Sequence, residues 1–256
     1  MTELKNRNDA GFDHIFYFPP HQDDELTNFG VAIMKDIDAG RRAVCVLCTD
    51  GGASGVLRML GDGRGCHLHP GRHVYPMTRG EFSAARDREY RACCREMGLG
   101  DADARISPLR GLDGQLTVES AKEIILDAIK GLPPESVEVR ALAPVAGLHQ
   151  NPDHRATGTA ALELFGEGAF GGLTLFYESI LLPGVTGDGA PLQYVTERVE
   201  PDEGQAERFR RAADRYGIWA PEKGFYAIGH HSVKDEFEMM TADPVSLVCS
   251  GQAPAK

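Results

Sequence analysis

The densest group of titratable side chains in this 256-residue sequence is His-Gln-Asp-Asp-Glu at positions 21–25. His21 and Asp24 are three residues apart where the chain turns from an apolar run into a helical pattern, so both side chains can reach one ion. An imidazole and a carboxylate suit Zn²⁺, and a third ligand from another loop would leave an open position, as in catalytic zinc sites. Asp23 lies beside a ligand but free of the metal, so it is placed to take a proton from a bound water.

Two further polar segments also follow apolar runs. Thr-Asp-Gly-Gly at 49–52 follows one run, and Gly-Leu-His-Gln-Asn-Pro-Asp-His at 147–154 follows another. Ligands of parallel α/β sheets bind beyond the carboxyl ends of the strands, so the three polar segments are predicted to meet on one rim. The acidic residues at 23–25 would also suit an ordinary first helical turn. His21 before them, and a second His-rich loop on the same rim, favour a metal site.

The elements that must position these residues alternate between strand and helix. Apolar runs predict strands at 15–18 and 43–48, and further strands are predicted at 137–144 and 173–177. Apolar residues at helical spacing predict helices at 24–39, 78–97, 117–130, 155–165 and 205–216. Residues 53–77 are expected to be irregular. The alternation predicts an α/β Rossmann-like sandwich with a mostly parallel sheet and helices on both faces.

The composition changes in the last third of the chain. Residues 182–204 are rich in Gly, Pro and acidic residues, and the segment after the helix at 205–216 has no clear period. We therefore predict an α/β core at 1–180 that carries the metal site. Residues 181–256 are predicted to form a small C-terminal addition, either a subdomain or a cap packed on the core.

The net charge of the chain limits the classes of binding partner that are expected. Lys and Arg total 27 against 38 Asp and Glu, a net charge of −11, so nucleic acid is not an expected partner. No apolar run approaches the roughly 20 residues of a membrane span, and the first residues lack the apolar segment of a secretory signal. A homo-oligomer is compatible with the sequence.

The cysteines are expected to be buried thiols. Cys45 and Cys48 have the CxxC spacing of redox and zinc sites. They lie in a predicted strand, however, where side chains three apart point to opposite faces and cannot share an ion. Cys93 and Cys94 are adjacent in a predicted helix and do not form a chelating pair either. Free buried thiols are consistent with a reducing cytoplasm, so a cytoplasmic location is expected.

At this point the sequence resembles a known family. The strand followed by His-x-Asp-Asp-Glu, then Thr-Asp-Gly, then Pro-Asp-His-Arg-Ala-x-Gly at 152–158, is similar to PIG-L/LmbE-type zinc-dependent N-acetylglucosaminyl deacetylases over roughly residues 13–165. The resemblance implies hydrolysis of an N-acetyl group on an amino sugar in a small glycoside or glycoconjugate. It implies that His21, Asp24 and His154 are the zinc ligands and that Asp23 is the general base. Such a donor set also accepts other divalent ions, Fe²⁺ among them.

The sequence departs from the family pattern at three places, one of which is Gly52, where family members often have a glutamate after Thr-Asp-Gly. Gln22 replaces a proline of the first motif, which affects backbone stiffness rather than the ligands. Asn151 stands where the family has a histidine that stabilises the oxyanion or protonates the leaving amine. Asn151 could donate a hydrogen bond to an oxyanion but cannot protonate an amine, and His149, two residues earlier, could supply that function. Both residues remain candidates.

Two further residues match family positions that face the sugar. Arg86 precedes Glu89 by three residues in an Arg-x-x-Glu element, and Asp113 lies in an Asp-Gly turn. The resemblance implies that both bind substrate. A surface ion pair between Arg86 and Glu89, and an ordinary Asp-Gly turn, are the alternatives for these two elements.

Other histidines are less specific. His67, His69 and His73 lie in a Gly-rich stretch, where a surface loop or a substrate lid is expected rather than a second metal site. His230 and His231 are expected to stay outside the pocket.

Several other functions are compatible with parts of the sequence. An amidase acting on a larger acyl or peptide-like amide would use the same metal core. A non-catalytic metal-binding relative is compatible with the change at Asn151. A nucleotide-binding Rossmann module is disfavoured, because carboxylates rather than a GxGxxG turn follow the first strand.

Overall fold

The computed structural model describes residues 11–63, 69, 74–144, 151–179 and 195–249. The strands are β1 His14–Tyr17, β2 Arg42–Thr49, β3 Ala104–Gly111, β4 Val137–Leu142, β5 Gly172–Tyr177, β6 Val195–Val199, β7 Trp219–Ala220, β8 Phe225–Tyr226 and β9 Ser246–Cys249. The helices are α1 Asp24–Thr27, α2 Gly30–Asp38, α3 Val56–Asp62, α4 Arg79–Met97, α5 Val118–Ile129, α6 Pro152–Gly166, α7 Glu203–Tyr216, α8 Ile228–Ser232 and α9 Lys234–Ala242.

Within the described residues, one sheet has the strand order β3-β2-β1-β4-β5-β9-β6. The strands from β3 to β5 are parallel, with Phe16 of the central β1 paired to Val44 on one side and Val139 on the other. The last two strands, β9 and β6, run antiparallel to their neighbours. The predicted α/β fold with a mostly parallel sheet is confirmed.

The sheet is buried on both faces. Alternate residues of β2 pack on opposite sides, as Cys45 belongs to the apolar cluster with α2, α4 and α7, and Cys48 to the cluster with α5 and α6. Side chains that alternate across a strand cannot share an ion, which confirms that the CxxC pair is not a chelating site. Cys93 and Cys94 are buried free thiols in the first cluster.

The structure corrects the predicted elements in several places. The helix expected over 24–39 is two helices, because the chain breaks at Asn28, whose side chain bonds Asp24 and the N–H of Ser179. Part of the stretch expected to be irregular forms α3, whose Val56 and Leu60 pack against Phe82 and the C-terminal Ile228. Strands β3, β6 and β9 were not predicted. Strand β3 is polar and contains a proline, which an edge strand tolerates.

Residues 195–249, hereafter the C-terminal segment, contribute directly to the main sheet and its helical layers. Strands β6 and β9 extend the sheet beyond β5, and α7 packs against α2 and α4 through the buried Phe209. The boundary near residue 180 stays a prediction. Among the described helices, none combines the length and the apolar composition needed to cross a bilayer.

Candidate metal centre and catalytic pocket

The polar segments at the carboxyl ends of the parallel strands converge on a cavity of about 290 Å³. The segment 21–24 follows β1, and 151–154 forms the start of α6 beyond β4. Asp113 follows β3 and Glu178 follows β5, and both side chains line the same cavity. The rim predicted from the strand pattern is therefore where these side chains meet.

Three donor atoms form a nearly equilateral triangle in this cavity. Nδ1 of His21 and Nε2 of His154 each lie 3.2 Å from Oδ2 of Asp24, and the two nitrogens lie 3.2 Å from each other. A tetrahedral zinc ion with ligand bonds of 2.0–2.1 Å separates neighbouring donors by roughly 3.3 Å. These residues thus fit a zinc ion, and the two imidazoles are brought together from positions 133 apart in the sequence.

The protonation of this triangle also suits a divalent cation. Burial raises the pKa of Asp24, but His154 and His21 outweigh it and hold that pKa well below its usual range. Burial lowers the pKa of His154, but the Asp24 carboxylate raises it to about 9. Asp24 is therefore ionised at neutral pH, and His154 holds a proton that a bound metal ion would displace.

Carboxylates outside the triangle orient both imidazoles. Nε2 of His21 lies 3.0 Å from Oδ2 of Asp153, and Nδ1 of His154 lies 2.6 Å from Oε1 of Glu178. Asp153 is itself fixed by the N–H groups of Gly114 and Leu116, at 2.7 and 2.9 Å. Such partners set the tautomer of metal-binding histidines, here leaving Nδ1 of His21 and Nε2 of His154 for the ion.

Asp23 lines the cavity in an unusual backbone conformation. Its φ of 119° is positive, which costs a non-glycine residue about 1–3 kcal/mol and occurs mainly at functional sites. Arg86 Nη2 donates to its Oδ2 at 2.9 Å. Burial raises the pKa of Asp23 to about 7, although Arg86 opposes the shift. A carboxyl group with a pKa near neutrality can both accept and return a proton.

Arg86 is buried and joins three parts of the site. Besides the Asp23 carboxylate, its guanidinium donates to the carbonyl oxygens of Gln22 and, at 2.9 Å, Gly51. Glu89 is also fully buried, and its carboxylate accepts backbone N–H groups of the C-terminal segment instead, including that of Ile228 at 2.9 Å. The alternative of a surface ion pair between Arg86 and Glu89 is therefore wrong.

Asp113 and Asn151 both line the cavity. Asp113 accepts the N–H of Ala53 at 2.8 Å, and its Oδ1 lies 3.3 Å from Nε2 of His21. The Asn151 oxygen caps α6 by accepting the N–H of Asp153 at 2.9 Å. Its NH₂ group is thus the part that can donate into the cavity.

Several predicted residues lie outside the cavity or outside the described residues. His149, His67 and His73 fall outside the described ranges. The His230 ring stacks on Phe237 with centroids 4.7 Å apart, and Nδ1 of His231 donates to a backbone carbonyl at 2.6 Å.

The C-terminal segment supplies cavity residues that sequence reasoning missed. Ser232 of α8 and Glu236 of α9 line the cavity, and the Ser179 hydroxyl donates to Glu236. Glu178 could have been found by applying the strand-end rule to β5. No local pattern marks Ser232 or Glu236, because their position depends on how the C-terminal helices fold back.

Comparisons with known proteins agree with this geometry. The family model described as PIG-L, GlcNAc-PI de-N-acetylase, matches residues 16–165, which is 150 of the 256 residues. No curated protein sequence matches the chain significantly.

Solved structures show the same fold at low identity. The A40926 pseudoaglycone deacetylase Dbv21 is 18% identical with a TM-score of 0.65, covering 97% of this chain and 100% of that one. The N,N'-diacetylchitobiose deacetylase from Pyrococcus horikoshii is 17% identical with a TM-score of 0.59, covering 93% and 80%. GalB, the 4-carboxy-2-hydroxymuconate hydratase from Pseudomonas putida KT2440, is 13% identical with a TM-score of 0.52, covering 95% and 98%. Proteins with this fold are thus named for more than one reaction. The family model, in contrast, covers the sequence motifs of the candidate metal site. By the match to that model, the chain belongs to the PIG-L family of GlcNAc-PI de-N-acetylases.

Proposed function

We propose that this protein is a zinc-dependent hydrolase that removes the N-acetyl group of an amino sugar in a small glycoside or glycoconjugate. The observation that carries the proposal is the triangle of His21, Asp24 and His154, with donor atoms 3.2 Å apart, beside a carboxylate that is not part of it. Family membership and the A40926 pseudoaglycone deacetylase among the similar folds support deacetylation, and the N,N'-diacetylchitobiose deacetylase supports an N-acetyl amino sugar.

His21, Asp24 and His154 would hold the zinc ion. When bound, such an ion polarises the acyl oxygen and lowers the pKa of a coordinated water to about 7. Asp23 accepts the proton of the attacking water. Its link to Arg86 keeps one carboxylate oxygen engaged at 2.9 Å, so the other is the atom that takes the proton.

The remaining steps need a donor to the oxyanion and an acid for the departing amine. We assign the oxyanion contact to the NH₂ group of Asn151, which is available because its oxygen caps α6. Asp23, with a pKa near 7, can return the proton to the amine. His149 is the second candidate for that step.

Substrate binding is assigned to Arg86 and Asp113. Both side chains line the cavity, and a carboxylate such as Asp113 accepts hydrogen bonds from sugar hydroxyls. Arg86 is assigned a double role, because it faces the cavity and also holds Asp23.

The test is acetate release from N-acetylglucosamine glycosides by protein whose zinc content has been measured. We expect release by the zinc-loaded protein, loss after chelation, and recovery on adding zinc back. Fe²⁺ added in an anaerobic parallel shows whether a second ion supports turnover. A folded, zinc-loaded protein that releases no acetate would overturn the proposal and favour a non-catalytic metal-binding relative.

An amidase acting on a larger acyl group is the second candidate, because the metal triangle does not define the acyl chain. A parallel series of glucosamine amides with acetyl, butanoyl and octanoyl groups separates the two. We expect kcat/KM to fall as the acyl group lengthens, and a rise would favour the amidase.

A further inference from the structure

Glu25 is a buried carboxylate that neither the metal triangle nor the proposed chemistry uses. The side chain is completely buried, and both of its oxygens accept hydrogen bonds. Oε2 accepts the backbone N–H of Asp23 at 2.9 Å, and Oε1 accepts the hydroxyl of Tyr216 at 2.5 Å. Because a buried carboxylate is costly unless it is hydrogen-bonded, these two partners, together with the Cys93 thiol, fix the position of Glu25.

Tyr216 is itself fixed by close packing. It is the last residue of α7, completely buried, and its ring lies 5.3 Å from that of Phe237. A Cβ atom added at Gly229 would lie 2.3 Å from Cδ1 of this ring. The glycine therefore allows α8 to press against the tyrosine, and the hydroxyl has little freedom to point elsewhere.

The hydrogen bond to Glu25 comes from the backbone N–H of Asp23, the residue with the most strained backbone conformation in the site. Asp23 has a φ of 119°, and a strained conformation persists only where the surroundings impose it. Glu25 and Arg86 contribute here, together with the N–H groups of Leu26 and Thr27, which donate to the Asp23 carbonyl oxygen. Glu25 holds the Asp23 N–H, and Arg86 holds the preceding carbonyl of Gln22 together with the Asp23 carboxylate.

We infer that Glu25 and Tyr216 are a pair of positioning residues, which hold the Asp23 backbone in the conformation that presents its carboxylate to the cavity. This inference rests on the proposed function, in which Asp23 is the base. Tyr216 lies 191 residues from Glu25 and outside the region matched by the family model. The C-terminal segment therefore takes part in the geometry of the reaction and does more than cover the sheet.

The first test replaces Tyr216 by Phe, which keeps the ring and removes the hydroxyl. We expect kcat for acetate release to fall about 10- to 100-fold, the range that a small misplacement of a catalytic group can cause, with KM and zinc content unchanged. Tyr90→Phe is the matched control. Its hydroxyl is also buried and bonds the backbone carbonyl of Cys45 at 3.1 Å. We expect that control to keep kcat within about twofold, although it also loses a buried hydrogen bond.

A second comparison separates positioning from charge. Glu25→Gln can still accept the Asp23 N–H and can donate to the Tyr216 oxygen, so kcat is expected to stay close to that of the original protein. Glu25→Leu loses both bonds, and kcat is expected to fall at least as far as in Tyr216→Phe. An unchanged kcat in Tyr216→Phe, or an equal fall in Tyr90→Phe, would overturn the inference.

A measurement that needs no activity keeps this inference separate from the proposed function. Hydrogen exchange of the Asp23 amide, followed by NMR in the zinc-loaded protein, reports the bond to Glu25 directly. We expect faster exchange in Tyr216→Phe than in the original protein, and no change in Tyr90→Phe. If the original protein released no acetate, the proposed function would fail, while an unchanged exchange rate in Tyr216→Phe would overturn the positioning pair by itself.

Discussion

Oε1 of Glu178 lies 2.6 Å from Nδ1 of His154, and the opposite ring nitrogen of His154 lies 3.2 Å from Asp24. The carboxylate therefore holds the imidazole by the atom that faces away from the metal triangle. Glu178 comes directly after β5 and outside the matched family region. A carboxylate that follows β5, outside the motifs found in the sequence, thus orients one imidazole of the candidate metal site.

This relationship predicts a loss of metal affinity in Glu178→Ala. Removal of a carboxylate that orients a ligand histidine typically weakens binding about 10- to 100-fold, and we expect a weakening of that size. Competition with a chromophoric zinc chelator measures it. Glu119→Ala, at an exposed position of α5, is the control, and equal affinities for the two variants would contradict the prediction.

Replacing Asp23 and replacing His154 are expected to have different effects, the first on kcat and the second on zinc content. Asp23→Ala should retain zinc but lose about 10²- to 10⁴-fold in kcat, the range for a general acid–base group. His154→Ala should lose the zinc itself, because it removes one corner of the triangle. Metal analysis of the purified variants beside their acetate release tests both statements. Zinc-free Asp23→Ala would show that this residue is a ligand rather than the base.

The buried Glu89 predicts a pH dependence of stability. Burial raises its pKa to about 7, although the three backbone N–H groups that it accepts oppose the shift. Between the pKa of an exposed glutamate, about 4.3, and about pH 7, the folded chain keeps a proton that the unfolded chain releases. The free energy of unfolding contributed by this group therefore falls as pH rises through that window.

Glu89→Gln removes this titration. We expect the stability of the original protein, relative to the variant, to fall by up to about 3 kcal/mol between pH 5 and pH 7.5. Urea denaturation at both pH values measures the difference. Glu119→Gln should show no such change relative to the original protein, and parallel pH curves for Glu89→Gln would refute the prediction.

The sequence predicted best those strands whose two faces are both buried in the sheet, because such strands are mostly continuous apolar runs. Strands β1, β2 and β5 are largely of this kind, whereas β4 also contains the buried ion pair of Glu138 and Arg140. The strand-end rule, applied to β1 and β4, was enough to predict that His21 and His154 lie close together. Strands β3 and β6, at the two edges of the sheet, lack such runs. Their place in the sheet follows from pairing with strands that are distant in sequence, which a local pattern does not record.

The same distinction applies within the site. The candidate metal donors His21 and Asp24 are local to one turn, so their spacing reveals them. Tyr216 and Glu236 reach the site only because the C-terminal helices fold back over the sheet, and their sequence neighbourhoods resemble those of ordinary helices. Arg86 was expected to face the sugar, but its contact with Asp23 depends on how α4 docks against the loop after β1.

Gly158, the last residue of the Pro-Asp-His-Arg-Ala-x-Gly motif, has a structural reason to be glycine. It lies one helical turn after His154 in α6, and a Cβ atom there would lie 2.1 Å from the carbonyl oxygen of Leu142 and 2.8 Å from Cδ of Pro144. Without a side chain, α6 can approach the end of β4 closely. The close approach of α6 to β4 therefore fixes how far the His154 side chain reaches into the cavity.

Gly158→Ala is therefore expected to push α6 away from β4. Overpacking of this kind costs about 1–3 kcal/mol, and we expect both that loss in chemical denaturation and a weaker affinity for zinc, because His154 moves with the helix. Gly166→Ala is the matched control at the end of the same helix, where a Cβ atom would meet nothing within 4 Å. There the substitution should be neutral or stabilise the protein by about 0.4–1 kcal/mol. Equal stability and equal zinc affinity in the two variants would show that the close approach of α6 does not set the position of His154.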